Sequence, residues 1–556
     1  MFNRANAASP LSRRALWLLL VVFTTIWFGT LEYRKLIKPD EGRYAEIARE
    51  MAVTGDFVTP RLNGLKYFEK PPLQYWATAT AFKVFGEDEW TARLWPGLTG
   101  YLSVLLAFFT ARRLFGERVA LFTGLVHGSS LWMIMIGHIN TLDMGLTFFL
   151  QLALTGVLLA NSATTPDTSR RGWALLTWVA LALAVLSKGL VALVLSGGTL
   201  VVYSLLSRDL SPWKRMYWLP GLALFFLIAT PWFVLVSQAN PEFPRFFFWH
   251  EHFERFLTKQ HGRYQPGWYF IPILAIGAMP WTLMVIHAWL KGWRQPAEDN
   301  GFQPVRLLLV WSALVFAFFS VSHSKLPSYI LPILPATAII TGLWLANVSR
   351  ELLLRHFIAL SVLAAACLPF LIKVANFADN ETPTAMMTAY AKWLAVSGGI
   401  WLAGCIFGIA LIWRKTPQLA PLVLAVAALC AGTGVLQGHE KLGRSNSSNY
   451  ISKQLTPLLV PGIPFYSVKM YEQTLPFYIK RTLTLVEYRD EMGFGLDQQP
   501  ELGVPDMATF HQRWAQDKDA FAIMTPDTFQ QLSAERFPMQ EVARDTRRVI
   551  VRKPQP

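Results

Sequence analysis

Cysteine is nearly absent from this sequence: three residues, Cys367, Cys405 and Cys430, all inside long apolar runs. The segment after about residue 438 has none, so no disulfide framework can hold it together. Charge is also scarce. Charged residues make up 16% of the chain and apolar ones 53%, a balance that excludes disorder driven by charge. No repeat of 20 to 50 residues is visible, which excludes a solenoid. The two-residue alternation of membrane β-strands is also missing from the apolar runs, which excludes a transmembrane barrel. No small-x-small cleavage site follows the first apolar run, from about Ala15 to Leu31, so it is expected to stay as a membrane span rather than leave as a signal peptide.

What is present is a series of apolar blocks of roughly 18 to 23 residues, the length a helix needs to cross about 30 Å of hydrocarbon. They number about thirteen and centre near residues 22, 100, 127, 150, 180, 198, 226, 280, 313, 338, 364, 402 and 427. The expected fold is therefore an α-helical polytopic membrane protein, followed by a small soluble α/β domain. The boundary falls near residue 437, giving 1–437 and 438–556. In the tail, strand-like runs occur at Phe465–Met470, Thr482–Tyr488, Ala520–Met524 and Val549–Arg552, and helical stretches near Met507–Gln516 and Asp527–Glu535.

The formal charge of +15 does not point to nucleic acid. Its excess sits in short loops beside the spans: Arg4, Arg13 and Arg14; Arg112, Arg113 and Arg118; Arg170 and Arg171; Arg208, Lys214 and Arg215; Lys291 and Arg294; Arg350 and Arg355; Arg414 and Lys415. Every second loop is basic, which assigns all of these to the cytoplasmic side. The other side receives the tail and two long loops, 32–87 and 237–268, rich in aromatic and charged residues. Long ordered loops carry function more often than short connections do.

The first of these loops brings Asp40 and Glu41 just past the first span, with Pro39 and Gly42 favouring a turn into a helix. Asp40 reads either as a helix cap or as a carboxylate held at the membrane surface. Tyr67, Glu69 and Lys70 precede Pro71 and Pro72, which stiffen the chain, and Lys70 is a point cation suited to phosphate or to the interface. Asp143, in HINTLDMG, reads as a cap with Asn140 or as an ionisable site residue at a span end. Lys188, in LSKGL, is basic on the outward side, against the trend, and so is a phosphate candidate. In the second loop, Glu251 and Arg255 have the spacing of an i,i+4 ion pair, and Phe246–Trp249 reads as an interface belt. No HExxH is present. A divalent metal, zinc or magnesium, could still be built across the two loops from Glu69 and His250.

The runs DEGRYAEIAREM and GDFVTPRLNGLKYFEKPPLQYW resemble the lipid A aminoarabinose transferases, relatives of the protein O-mannosyltransferases with the GT-C architecture. TLDMG, SKGL, FFFWHEHFERF and HSKLPSYILPILPA extend the resemblance. It implies transfer of 4-amino-4-deoxy-L-arabinose from undecaprenyl phosphate to lipid A at the periplasmic face of the inner membrane, which lowers sensitivity to polymyxin. It implies Asp40 as the catalytic carboxylate and Asp143 as a second acidic residue. Lys70 and Arg255 would hold the donor phosphate, with Arg43, Tyr44, Tyr67, Lys188 and Tyr329 as further substrate-binding residues. The expected partners are the lipid-linked donor, lipid A and membrane lipid, with no nucleic acid.

Overall fold

The computed structural model describes residues 11–254 and 264–555. It is a bundle of apolar helices carrying a soluble α/β domain at one end. Eight described helices are long and apolar enough to cross a membrane, and two bent helix pairs raise that number to 10. The remaining expected spans correspond to shorter helices: α1 (Arg13–Gly29), Val191–Ser207 and Ile333–Leu345. Every residue of Ile333–Leu345 is buried. A helix that touches other helices and no lipid has no thickness to match, which explains its shortness. The expected span near residue 280 departs from a straight crossing. It consists of Gly267–Gly277 and Thr282–Gly292, bent by 110°.

Close backbone approach fixes α1 at one end. Trp27 is fully buried, and its indole donates to the carbonyl of Gly97 at 2.8 Å. A Cβ on Gly100 or Gly137 would meet that ring at 2.8 or 2.6 Å. The chain then crosses to α2 (Asp40–Thr54), the hairpin of β1 (Arg61–Leu62) and β2 (Leu65–Lys66), and α3 (Leu73–Phe85) before α4 (Glu89–Phe115) enters the membrane. Asp88 and Thr91 form a reciprocal capping box at the start of α4.

The C-terminal domain is a six-stranded sheet in the order β5-β4-β3-β6-β8-β7. Its strands are β3 (Phe465–Val468), β4 (Thr484–Val486), β5 (Gly503–Val504), β6 (Phe521–Met524), β7 (Gln540–Arg544) and β8 (Val549–Arg552). The first four strands in that order pair in parallel, and β8 and β7 add antiparallel pairs. Both faces of β3 and β6 are buried, as continuous apolar runs in a covered parallel sheet require.

This domain packs directly on α2. Gly42 is not in a turn, as its sequence neighbours suggest, but inside the helix, where a Cβ would lie 2.6 Å from the carbonyl oxygen of Gln473. Farther along α2, Glu46 is paired with Arg49 through two hydrogen bonds of 2.6 and 2.7 Å. Glu50 accepts from the Gly64 amide at 2.9 Å. Burial and the nearby Glu46 charge push the Glu50 carboxyl up to about 8. A carboxyl whose folded pKa is raised keeps a proton that the unfolded chain releases near 4.5, so its contribution to stability falls as pH rises from 4.5 through about 8. Glu50→Gln retains an acceptor for Gly64 and removes the titration. The variant is expected to be more stable than the parent at pH 8 and to lose that advantage at pH 5. Thermal unfolding of the detergent-solubilised protein across this range checks it, and parallel pH profiles for the two proteins would contradict it.

Candidate active site at the loop-bearing face

Two adjacent carboxylates open α2, and the structure separates their roles. Glu41 is completely buried against Arg93, with hydrogen bonds of 2.7 and 2.9 Å. Burial alone would raise its pKa, but Arg93 overrides that and holds it down to about 2. Asp40 instead keeps a third of its side chain exposed and meets Arg43 at 2.9 Å. It does not cap α2; that place belongs to Pro39, and no side chain caps the helix. Arg43 is shared with Glu491 of the C-terminal domain in a buried ion pair. Burial raises the Glu491 carboxyl above its usual range, with Arg43 opposing. No local pattern points to Glu491, which lies about 450 residues away in a tail without a motif.

Around this pair stand three buried phenols, Tyr44, Tyr67 and Tyr75. Burial pushes all three well above the ordinary tyrosine value, reinforced by Asp40 at Tyr44 and by Glu69 at Tyr67 and Tyr75. They therefore stay protonated and available as donors. Among the described residues the buried hydroxyls of Tyr67 and Tyr75 have no hydrogen-bond partner, which is costly unless a ligand supplies one. The charges of Asp40 and Glu251 also raise the Tyr75 phenol, with Arg43 opposing.

Lys70 pairs with Glu251 at 3.0 Å and donates to the Glu69 carbonyl at 2.6 Å. Glu251 therefore serves Lys70. The segment Arg245–Glu254 is wound as a wider π-helix, not an α-helix. Arg255 lies outside the described residues. His250 stacks on Phe246, with ring centroids 5.2 Å apart. The aromatic run is not a simple membrane belt. Phe247 is fully buried while Trp249 is 60% exposed. Phe246 packs on Phe494 of the C-terminal domain at 4.0 Å, and Phe494 in turn on Phe68 of the first loop at 5.7 Å. Both long loops and the tail thus share one aromatic knot beside the site.

Asp143 begins the helix Asp143–Asn161 without capping it. It forms an ion pair with Lys188, the last residue of the helix Asp167–Lys188, and the Tyr329 ring lies 4.4 Å from the Lys188 ammonium. Lys188 is therefore already neutralised by Asp143. A polar thread ties the turn before Asp143 to α3 and α2: Gln74 donates to Asn140 at 2.7 Å, and the Asn140 amide donates to Glu41 at 3.1 Å. Among the described residues, no group of three or more His, Cys, Asp and Glu side chains is placed to hold a metal ion.

Comparison with known proteins extends the geometry. Residues 451–553 match the model of the aminoarabinose transferase C-terminal domain. Residues 13–247 match that of the dolichyl-phosphate-mannose-protein mannosyltransferases. An undecaprenyl phosphate-alpha-4-amino-4-deoxy-L-arabinose arabinosyl transferase of Pseudomonas paraeruginosa is 35% identical over 337 residues, 60% of each chain. A second, from Pseudomonas fluorescens, is 33% identical over 391 residues, 69% of this chain and 67% of that one. The match to the first of these relatives spans 60% of its length. The crystal structure of ArnT from Cupriavidus metallidurans bound to undecaprenyl phosphate superposes with a TM-score of 0.93 at 39% identity, covering 97% of this chain and 98% of that one. With helical bundle and tail matched in one superposition, the chain belongs to the aminoarabinose transferase family, membrane glycosyltransferases of the GT-C type.

Proposed function

We propose that this protein moves 4-amino-4-deoxy-L-arabinose from undecaprenyl phosphate to the phosphate groups of lipid A, at the periplasmic face of the bacterial inner membrane. The observation that carries the reading is the exposed Asp40 carboxylate, set beside Arg43 and the two unpartnered phenols of Tyr67 and Tyr75 at the loop-bearing end of the bundle. The names of the relatives and the undecaprenyl phosphate bound to the Cupriavidus protein support it. Capping a negative phosphate with a cationic sugar lowers the attraction of the outer membrane for polymyxin and other cationic peptides.

The chemistry follows from the groups present. A phosphate oxygen of the acceptor attacks the anomeric carbon, the bond from that carbon to the donor phosphate oxygen breaks, and undecaprenyl phosphate leaves with the electron pair. Such a single displacement inverts the anomeric centre. The acceptor is already ionised at neutral pH and needs no strong base. Asp40 therefore acts by stabilising positive charge at the anomeric carbon and by orienting the acceptor. Tyr67 and Tyr75 offer hydrogen bonds to the sugar, and Glu69 offers a negative neighbour to its ammonium group. Lys70 and Arg255 stabilise the leaving phosphate. Mass spectrometry of lipid A from cells with and without the gene tests the reading. Lipid A carrying no added amino sugar in either strain would overturn it.

A divalent cation is proposed at Glu69 and His250. Two protein donors leave most of a magnesium or zinc coordination shell to water and phosphate, and the ion would supply charge beside the donor phosphate. Elemental analysis should find less metal in a Glu69→Ala, His250→Ala double variant than in the parent protein. Equal content in the two would remove the bridge.

A further inference from the structure

The cations at the loop-bearing face differ in one respect. Arg43 is shared by Asp40 and Glu491, Lys66 is paired with Glu242, Lys70 with Glu251, and Lys188 with Asp143. Lys325 is 4% exposed, yet among the described residues it has no carboxylate partner. Its ammonium donates to two main-chain carbonyls, those of Gln265 at 2.9 Å and Ser322 at 2.5 Å. The Tyr264 ring lies 5.8 Å away. An ammonium has three N–H donors, so one remains. A buried cation without a counter-ion is costly and is retained where an anion completes it.

Position and neighbours indicate which anion. Lys325 sits in the turn between the helix Pro304–Val321 and the short helix Pro327–Ile330. That short helix carries Tyr329, whose ring covers Lys188. The turn is therefore part of the wall that holds the Asp143–Lys188 pair. Beside Lys325, Ser324 is 8% exposed, and its hydroxyl is buried with no hydrogen-bond partner among the described residues. One spare ammonium proton and one spare hydroxyl, on adjacent residues, suit a tetrahedral oxyanion.

We propose that Lys325 and Ser324 form a binding site for a phosphate group carried by a lipid substrate. The site rests on the transferase reading above and deepens it, since donor and acceptor both bring phosphates to this face. It also locates uncompensated positive charge for such a phosphate at Lys325, where Lys188 is already spent on Asp143.

Lys325 could instead merely tie the turn to the root of the second loop, and substitution separates the two. Lys325→Gln keeps N–H donors for the two carbonyls and loses the charge; Lys325→Arg keeps the charge. Full-length protein is compared in two assays. One is thermal stabilisation by undecaprenyl phosphate relative to undecaprenol, which reads the donor phosphate. The other is the acceptor KM in sugar transfer. The expected result is a loss of about tenfold in one of these for Lys325→Gln, with Lys325→Arg near the parent and Ser324→Ala weakened in the same assay. Loss in the first assay assigns the site to the donor, and loss in the second to the acceptor. A Lys325→Gln protein that matches the parent in both overturns the site alone. A parent protein that ignores undecaprenyl phosphate and transfers no sugar overturns the proposed function, and the site with it.

Discussion

Asp40→Asn is expected to cut sugar transfer by about a hundredfold to a thousandfold while leaving the protein folded. The side chain is one-third exposed and pairs with Arg43 at 2.9 Å. An amide oxygen can still accept that hydrogen bond, so the first turn of α2 keeps its shape. What disappears is the negative charge facing the reacting carbon. The neighbouring Glu41 could not serve instead. It is fully buried, both of its oxygens are bonded to Arg93, and its lowered pKa reflects a charge already compensated. Donor binding should persist, because the groups that would grip phosphate lie elsewhere. The check is lipid A modification by the variant alongside its thermal unfolding and its stabilisation by undecaprenyl phosphate. Transfer close to the parental rate, in a protein of equal stability, would remove Asp40 from the mechanism.

The helical bundle was legible because lipid imposes a long, one-letter pattern: a block of apolar residues of fixed length. That signal weakens where a helix is buried among other helices or broken, as at Ile333–Leu345 and around residue 280. Charged residues among the spans also suit a lipid or solute transporter, the rival class for such a sequence. Broken helices are a feature of transporters too, so their presence does not itself separate the two classes. The clustering of Asp40, Arg43, Tyr67, Lys70 and Glu251 at one end does, since a transporter needs its charges near the midplane. In the tail, β3, β4, β6 and β8 stood out as apolar runs, whereas β5 has two residues and β7 is a mostly exposed edge strand, QEVAR, with no alternation to read. The site was legible as a roster but not as a set of pairs. Capping readings of Asp40 and Asp143 came from local spacing, and both carboxylates turned instead to cations: Asp40 to Arg43 within its own helix, Asp143 to Lys188 45 residues away. Glu491 and Phe494 were invisible for the same reason. Their meaning exists only once the tail folds back on α2 and the aromatic knot.

The largest effect on stability is expected from Arg93→Leu. Arg93 is completely buried at the start of α4, and its guanidinium binds five acceptors. Two are the oxygens of Glu41, and three are carbonyls: Leu31 at 2.8 Å, Arg34 at 2.6 Å and Lys35 at 3.0 Å. Those carbonyls line the crossing that leads from α1 to Asp40. Glu41 in turn accepts from the amides of Ile37 and Asn140, each at 3.1 Å. The pair is thus a pin through the first loop, the start of α4 and the turn before Asp143. Removing the cation leaves a buried carboxylate and three carbonyls unpaired, at a cost of about 3–5 kcal/mol. Removing both charges together, as Glu41→Leu with Arg93→Leu, leaves no unpaired carboxylate, so the double variant should be less damaged than the sum of its singles. Because the pin carries Asp40, the Arg93→Leu protein should also lose transfer activity at temperatures where it is still folded. Unfolding of detergent-purified proteins, with transfer measured below each midpoint, reads both effects. Strict additivity in the double variant, or an Arg93→Leu protein as stable as its parent, would show that the guanidinium only fills space.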